Sequence, residues 1–199
     1  MSKNLPGVFS ATKKDGTTYY RASLTYKNKH ISLGSYDTAV IANKAYLEAL
    51  ELLTNSSISI DNYSSKNTLL FEKWVSLVNF RDNGLYLANP IYIRPKFFYY
   101  YLSPNDVYTF DTDDLFYYSS HKIMKRGGHL FVSDYGMQTN IQNRYGIKSY
   151  GVCGRDYRFI NGNDHDYRYE NIEIINRYNG VTKIHKKGMP FYQAKLHIN

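Results

Sequence analysis

Cysteine is almost absent from this sequence of 199 residues, in which Cys153 stands alone. A single cysteine excludes an internal disulfide and any zinc site built from several cysteines, so we expect a reducing compartment. No apolar run is long enough to span a membrane, and residues 1–16 lack the features of a signal peptide or a mitochondrial import sequence. We therefore expect an intracellular protein that does not associate with membranes.

Acidic residues are also few, with 17 Asp and Glu against 25 Lys and Arg, and the formal net charge is +8. This excess favours a polyanionic partner, although many soluble proteins are simply basic. Tryptophan occurs once, whereas tyrosine occurs 22 times. Tyrosine interleaved with Lys and Arg is typical of nucleic-acid surfaces, because the ring offers a stacking face beside the cations. An AT-rich genome would also enrich tyrosine.

Residues 7–53 predict a small two-layer unit. The runs GVFSATKK, TYYRASLTY and KHISLGSY are typical of three strands joined by polar turns at residues 15–16 and 27–28. After Asp37, a candidate helix cap, apolar residues recur at helical spacing as far as Leu53. We expect three antiparallel strands packed on one amphipathic helix.

This unit resembles the ethylene-response-factor type (APETALA-like) of DNA-binding domain, which also occurs attached to homing endonucleases. The resemblance is carried by Gly7-Val8, Tyr20-Arg21-Ala22, Ile31-Ser32-Leu33-Gly34, Tyr36-Asp37 and the helix around Ala42, Ala45 and Tyr46. It implies that the sheet lies in the major groove of DNA. By position, the implied contacts come from Lys13, Lys14, Tyr20, Arg21, Lys27 and Lys29. Phe9-Ser10 departs from the family, and a generic sheet face with solvated lysines is the alternative.

The run FINGNDHDYRYEN at residues 159–171 predicts a strand, a tight polar turn at Gly162 and a short helix capped by Asp166. It resembles the core of HNH homing endonucleases. The matching positions are Ile160-Asn161-Gly162, Asp166, Arg168 and Glu170-Asn171-Ile172.

Two positions depart from the HNH pattern, because the family's metal-binding Asp falls on Arg158 and its general-base His falls on Phe159. HNH hydrolysis needs a cation at the cleaved phosphate and an imidazole to activate water. The resemblance therefore implies a degenerate site at Arg158, Phe159, His165 and Asn171, with no catalytic residue, no metal and no cofactor.

An active endonuclease remains the alternative, with His165 as a substitute base and Asp156, Asp164 and Asn171 as substitute ligands. A histidine in a turn is more often a solvated surface group, and a relocated base would not replace the lost ligand. The acidic stretch Asp111, Asp113 and Asp114 is expected to be structural.

Residues 54–109 lie between the two segments that resemble known families. A Ser/Asn-rich connector leads to a predicted helix at residues 69–80, with Trp74 in the core and Gly84 after its end. The aromatic run at residues 91–101 is interpreted as a stacking platform, a buried strand or a protein interface. A β-hairpin is predicted to turn at Gly127-Gly128.

Basic residues are densest in residues 110–179, where salt-sensitive phosphate contacts are expected. The candidates are Lys122, Lys125, Arg126, Arg144, Lys148, Arg155, Arg158, Arg168 and Arg177. Residues 180–199 weakly repeat the first two strands of residues 7–53 and add Lys186 and Lys187. Since half a module cannot bury its sheet alone, these strands are expected to pack on the rest of the chain or on a partner.

Together these patterns predict an α+β chain, with a small three-stranded antiparallel sheet packed on one helix followed by a degenerate ββα-metal (HNH-like) module. The expected segments are 7–53, 54–109, 110–179 and 180–199. The predicted function is non-catalytic binding of nucleic acid, RNA or DNA. The protein would be a structural component of a ribonucleoprotein such as an organellar ribosome, with other proteins as partners, or a DNA binder. Its expected location is the matrix of an organelle that encodes it, or the host cytoplasm if it derives from a phage. A protein-interaction subunit using the aromatic middle is a further alternative.

Overall fold

The computed structural model describes residues 5–134, 136–178 and 180–194, with the backbone alone at Asp134. These residues form three α-helices and five small antiparallel sheets of two or three strands each. The mixed α and β character agrees with the sequence. The prediction of one sheet on one helix, followed by a single ββα module, was too simple. Most of the strands belong to further small sheets, which the sequence patterns did not distinguish from one another.

The first sheet comprises β1 (Val8–Thr12), β2 (Thr18–Tyr26) and β3 (Lys29–Tyr36), in that order. The turn at residues 27–28 has φ angles of 44° and 61°, both positive, as the tight turns that join antiparallel strands require. Helix α1 (Ala39–Thr54) covers the inner face of this sheet. The three strands on one helix were therefore predicted correctly.

Small residues let helix α1 approach the sheet, since Ala42, Ala45 and Ala49 are completely buried. The backbone at Gly7 also comes close, because a Cβ there would overlap the ring of Tyr46. The cap of α1 is Thr38, whose hydroxyl accepts a hydrogen bond from the backbone of Ile41 at 3.3 Å. The predicted cap Asp37 was wrong by one residue.

A second helix, α2 (Phe71–Asn83), packs on α1 and extends the first core beyond the predicted unit. Trp74 is buried in this core as predicted, and Gly84 ends the helix at φ 72°. Arg81 joins the two helices, because its Nη1 donates to the carbonyl oxygens of Leu52 at 2.9 Å and Ile58 at 2.8 Å.

The aromatic run forms much of the second sheet. Its strands are β4 (Ile91–Ile93), β5 (Phe97–Ser103) and β6 (Asp106–Asp111), and helix α3 (Leu115–Ser120) follows. Alternate residues face opposite sides. Thus the fully buried Phe98 and Tyr100 belong to a second core, whereas Tyr92 and Tyr101 pack against the first. Residues 91–101 are therefore mostly strand, in which Ile91, Phe98 and Tyr100 are buried, whereas residues 94–96 between the strands are exposed.

The third sheet comprises β7 (Ile123–Arg126), β8 (His129–Asp134) and β9 (Met137–Asn140), and the predicted hairpin turn at residues 127–128 is present. Strands β10 (Tyr157–Phe159) and β11 (Ile172–Ile174) pair across the HNH-like run. Short 3-10 helices occupy Ile60–Asn62, Thr112–Asp114, Ile141–Tyr145 and Tyr169–Asn171.

The last hairpin, β12 (Val181–Lys186) and β13 (Met189–Ala194), extends from the body, and every residue of β13 is exposed. Packing of this hairpin on the rest of the chain is thus not seen in the described residues. Between residues 136 and 194 the described segments contain no α-helix, so the helix expected in a ββα-metal module is not found there. No described helix is long and apolar enough to cross a membrane.

Candidate nucleic-acid interface

Side-chain hydrogen bonds within the loop between β10 and β11 fix its conformation. Asn171 donates to the carbonyl oxygen of Asp166 at 2.8 Å and accepts from the backbone of Asn161 at 2.8 Å. The side-chain Nδ2 of Asn161 donates to Oδ2 of Asp166 at 2.9 Å. Asn171 is buried and holds the loop together, which explains why this residue type occurs there without a metal role.

Asp166 pairs with Arg168 rather than capping a helix as predicted. Its buried carboxylate accepts from Nη2 of Arg168 at 2.7 Å and from Nε at 2.9 Å. Burial raises the pKa of Asp166, but the Arg168 guanidinium outweighs burial and holds the pKa below its usual range. Arg168 also contacts Glu170 at 2.9 Å and lies over the ring of Phe97. Its charge is therefore already compensated within the protein.

The two degenerate positions point to opposite sides of β10. Phe159 is buried, and its ring packs against Tyr167 with centroids 5.6 Å apart. Arg158 faces solvent and pairs with Glu173 on β11, Nε to Oε2, at 2.6 Å. Adjacent residues of a strand necessarily face apart. Position 159 is thus part of the core, and position 158 is an exposed ion pair.

His165 is held rather than freely solvated, which corrects the expectation for a turn histidine. Its ring stacks on Tyr108 with centroids 4.4 Å apart at an interplanar angle of 16°. Nδ1 lies 2.6 Å from Oδ1 of Asp164, and Nε2 lies 3.2 Å from Oδ1 of Asp106. Both ring nitrogens therefore lie within hydrogen-bond distance of a carboxylate.

Of the substitute metal ligands, only Asp164 contacts His165 among the described residues. Asp156 accepts from Arg155 at 2.7 Å and from the backbone of Val152 at 2.8 Å, so it stabilises its own loop. Within the described ranges, no group of three or more His, Cys, Asp or Glu residues is arranged to hold a metal ion.

The acidic stretch has a structural part at Asp114, which is buried and immediately precedes helix α3. Its carboxylate accepts hydrogen bonds from Arg144 Nε at 2.7 Å and from the hydroxyls of Tyr145 at 2.8 Å and Tyr169 at 3.2 Å. Burial raises the pKa of Tyr145, so this hydroxyl stays protonated and keeps donating. These contacts account for Asp114 without a metal.

Most candidate cations of residues 110–179 lie in ion pairs with carboxylates. The pairs are Lys122–Glu72 at 2.7 Å, Lys125–Asp106 at 2.9 Å, Arg144–Asp114 at 2.6 Å, Arg155–Asp156 at 2.7 Å, Arg158–Glu173 at 2.6 Å and Arg168–Asp166 at 2.7 Å. Arg126, Lys148 and Arg177 are exposed and form no ion pair with a described residue. The densest basic region of the sequence therefore carries little uncompensated charge.

The cations of the first sheet are exposed and have no carboxylate partner among the described residues. Strands β1, β2 and β3 contain no Asp or Glu. Lys13 and Lys14 lie at one end of the sheet, and Lys27 and Lys29 lie at the other. Arg21 lies on the outer face between them. Lys27 donates to the carbonyl oxygen of Arg81 at 3.4 Å, and Lys29 lies over the ring of Tyr86, so both lie on the side of the sheet that faces α2. The positive charge of this sheet without a carboxylate partner is thus carried by Arg21 on the outer face and by lysines at its two ends.

Two aromatic rings accompany Arg21 on this outer face. Phe9, which is 59% exposed, lies directly across the ladder from Arg21, and Arg21 donates to the hydroxyl of Tyr19 at 2.6 Å. Tyr20 instead packs against the core on the opposite face. Because side chains alternate along a strand, the buried Ala22 places Tyr20 on the inner face and Tyr19 on the outer face. The resemblance by position instead assigns Tyr20 to the contact surface.

The tail cations Lys186 and Lys187 are exposed at the tip of the β12–β13 hairpin. Residues 181–194 contain no Asp or Glu, so this hairpin is positively charged as well.

No family model matches this chain, and neither does a curated protein or a solved structure.

Proposed function

We propose that this chain is a non-catalytic nucleic-acid-binding protein whose main contact surface is the outer face of the sheet β1–β3. The observation that carries the proposal is the distribution of free charge. Cations of this sheet and its turns have no carboxylate partners among the described residues, whereas most cations of the HNH-like part are already paired. A polyanion gains more from the unpaired set, since it need not break an existing ion pair.

The dimensions of the sheet suit a nucleic-acid groove. Three strands spaced about 4.8 Å apart measure roughly 10 Å across. The major groove of B-DNA is about 12 Å wide. Lysines at both ends of the sheet would meet the phosphates along the groove edges, while Phe9, Tyr19 and Arg21 would face the bases. RNA is accommodated through unpaired bases stacking on the same rings.

The lack of cleavage is proposed from the two degenerate positions. A buried ring at Phe159 can neither accept a proton nor bind a cation, and the charge of Arg158 opposes a divalent ion. An origin from a homing endonuclease, and a structural role in a ribonucleoprotein such as an organellar ribosome, are proposed on the resemblance alone. The interaction-subunit alternative is weakened, because Phe98 and Tyr100 of the aromatic run are buried in the second core.

Fluorescence anisotropy with labelled duplex DNA, duplex RNA and single-stranded RNA tests the proposal. The variant Lys13→Ala/Lys14→Ala/Lys29→Ala removes three free charges, and Lys122→Ala/Arg155→Ala/Arg158→Ala removes three paired ones. For duplex DNA, the first variant should lower the slope of log K against log salt by about 3, at roughly 0.9 per phosphate contact, and weaken binding more than tenfold. The second should change affinity by less than threefold.

Equal losses in both variants would mean that only net charge matters, and the proposed surface would be wrong. A supercoiled-plasmid nicking assay with Mg²⁺ or Mn²⁺ tests the absence of cleavage. Cleavage that disappears in His165→Ala would overturn the non-catalytic assignment.

A further inference from the structure

A groove of about 500 Å³ lies on the outer face of the sheet β7–β9, at residues that neither resemblance assigns. Its walls come from strands β8 and β9 and the segment that follows them. The lining residues are His129, Phe131, Met137, Gln138, Thr139, Asn140, Asn143 and Ser149. This volume falls within the usual range of ligand sites, about 300–1,000 Å³.

One wall of the groove is aromatic. Phe131 and His129 lie on the same side of β8, with ring centroids 6.3 Å apart and an interplanar angle of 62°. Neither ring lies in a fully buried position. The half-buried Phe131 therefore lines the groove with part of its ring exposed.

Amides with unused hydrogen-bonding groups also line the groove, and Asn140 lies directly across the ladder from Phe131. Asn140 accepts from the backbone of Gln142 at 2.9 Å through Oδ1, and Asn143 accepts from Ser149 at 3.5 Å through Oδ1. Their Nδ2 groups, and the whole amide of Gln138, have no partner in the described structure. Donors and an acceptor are thus available around the ring.

Charge at the groove favours an anionic ligand. The described lining residues include no carboxylate. Arg126 lies across the ladder from His129, and Lys148 precedes Ser149 in the chain. These are two of the three candidate cations of residues 110–179 that form no ion pair with a described residue. The unpaired charge of this region therefore lies beside the groove.

We propose that the groove binds an unpaired nucleobase of a single-stranded segment, with the neighbouring phosphates at Arg126 and Lys148. The base stacks on Phe131, and the amides of Gln138 and Asn143 bond its exposed edge. A base within a duplex is excluded, because both of its faces are stacked and its Watson–Crick edge is already paired. This inference rests on the proposed function and narrows it, because it gives the chain a second site that takes unpaired nucleic acid.

Binding of 12-nucleotide single-stranded RNA and DNA, and of a matched duplex, tests the inference in the full chain. The variants are Phe131→Leu, which keeps an apolar side chain but removes the aromatic face, and Gln138→Ala, which changes an exposed side chain without a hydrogen bond. Phe131→Leu should weaken single-strand binding about 5- to 50-fold, because stacking on an aromatic side chain contributes strongly per base. Gln138→Ala should weaken it about 2- to 10-fold, because it removes a hydrogen bond to the edge of the base. Each should leave duplex binding within twofold of wild type. Thermal melting followed by circular dichroism checks that both variants are folded.

A 2-aminopurine placed in the oligonucleotide reports stacking directly, and its fluorescence should be quenched by wild type and recover in Phe131→Leu. If both variants bind single strands as wild type does, while Lys13→Ala/Lys14→Ala/Lys29→Ala weakens duplex binding, the groove inference fails and the proposed function stands. If wild type binds neither form, the proposed function fails. Adenosine or uridine monophosphate bound as tightly as the oligonucleotide would overturn the single-strand assignment in favour of a free-nucleotide site.

Discussion

Glu173 lies directly across the β10–β11 ladder from Arg158, and its carboxylate accepts a hydrogen bond of 2.6 Å from the guanidinium. Both side chains are about half exposed, so the pair contributes little to stability, roughly 0–1 kcal/mol. Its main effect is to remove a free positive charge from a surface that the sequence assigned to phosphate.

Glu173→Gln should therefore strengthen nucleic-acid binding, because it frees Arg158 while keeping the size of the side chain. We expect a two- to fivefold gain in affinity at low salt that disappears at high salt. Anisotropy titrations measure this gain. Glu51→Gln, on the exposed side of α1, removes one negative charge without freeing a cation and controls for net charge. An equal gain in both variants would contradict the prediction.

Asp114→Ala should strongly destabilise the fold. The substitution leaves Arg144, Tyr145 and Tyr169 without their shared acceptor, and removing one partner of a buried ion pair costs about 3–5 kcal/mol. Urea denaturation measures the free energy of unfolding. Asp113→Ala, one residue away and exposed, should change this free energy by less than about 0.5 kcal/mol. Comparable losses in both variants would show that Asp114 is not the structural carboxylate.

A histidine at position 159, where the HNH pattern has one, should destabilise the protein and should not produce nuclease activity. Phe159→His places a polar imidazole among the rings of Tyr157 and Tyr167, and we expect a loss of about 2–4 kcal/mol, from lost apolar burial and an unsatisfied polar group. Phe159→Leu should cost less, because the replacement is apolar. Urea denaturation measures both losses. A Phe159→His protein that is as stable as wild type and nicks DNA would contradict the account of this position.

Local patterns were sufficient for the elements that depend on neighbouring residues. The turn at residues 27–28 and the end of α2 at Gly84 follow from backbone preferences of single residues. Contacts between residues far apart in the sequence could not be predicted from such local preferences. Lys122 meets Glu72 from 50 residues away, and the groove joins His129 to Ser149 through a third strand that no pattern indicated. The sequence could show that cations were present, but only the fold decides which of them are paired.

Asp156 should make stability depend on pH in the acid range. Hydrogen bonds from Arg155, the backbone of Val152 and Asn176 outweigh burial and lower the pKa of Asp156 to about 2. An aspartate in the unfolded chain titrates near 3.9, so stabilisation by the carboxylate is complete above about pH 5 and is lost as the pH falls toward about 2.

Over this interval wild type should lose about 1–2 kcal/mol more than Asp156→Asn, a figure reduced from the full shift because Arg155 is solvated. Denaturation at a series of pH values measures the difference. Asp113→Asn should follow wild type. Parallel curves for wild type and Asp156→Asn would refute the assignment.

The final hairpin should be dispensable for folding and required for full affinity. Every residue of β13 is exposed, including Met189, Phe191 and Tyr192, so removal of residues 180–199 uncovers little of the described core. We expect the free energy of unfolding to change by less than about 1 kcal/mol, since surface changes usually have small effects. The hairpin carries Lys183, Lys186 and Lys187 without an acidic residue, so affinity for nucleic acid should fall and the salt slope should decrease by up to about 3. Limited proteolysis gives an independent measurement, because a hairpin without a packed face should be cut rapidly in the free protein and protected in a complex. Slow cleavage in the free protein, with a large loss of stability on truncation, would show instead that the hairpin packs on the body of the chain.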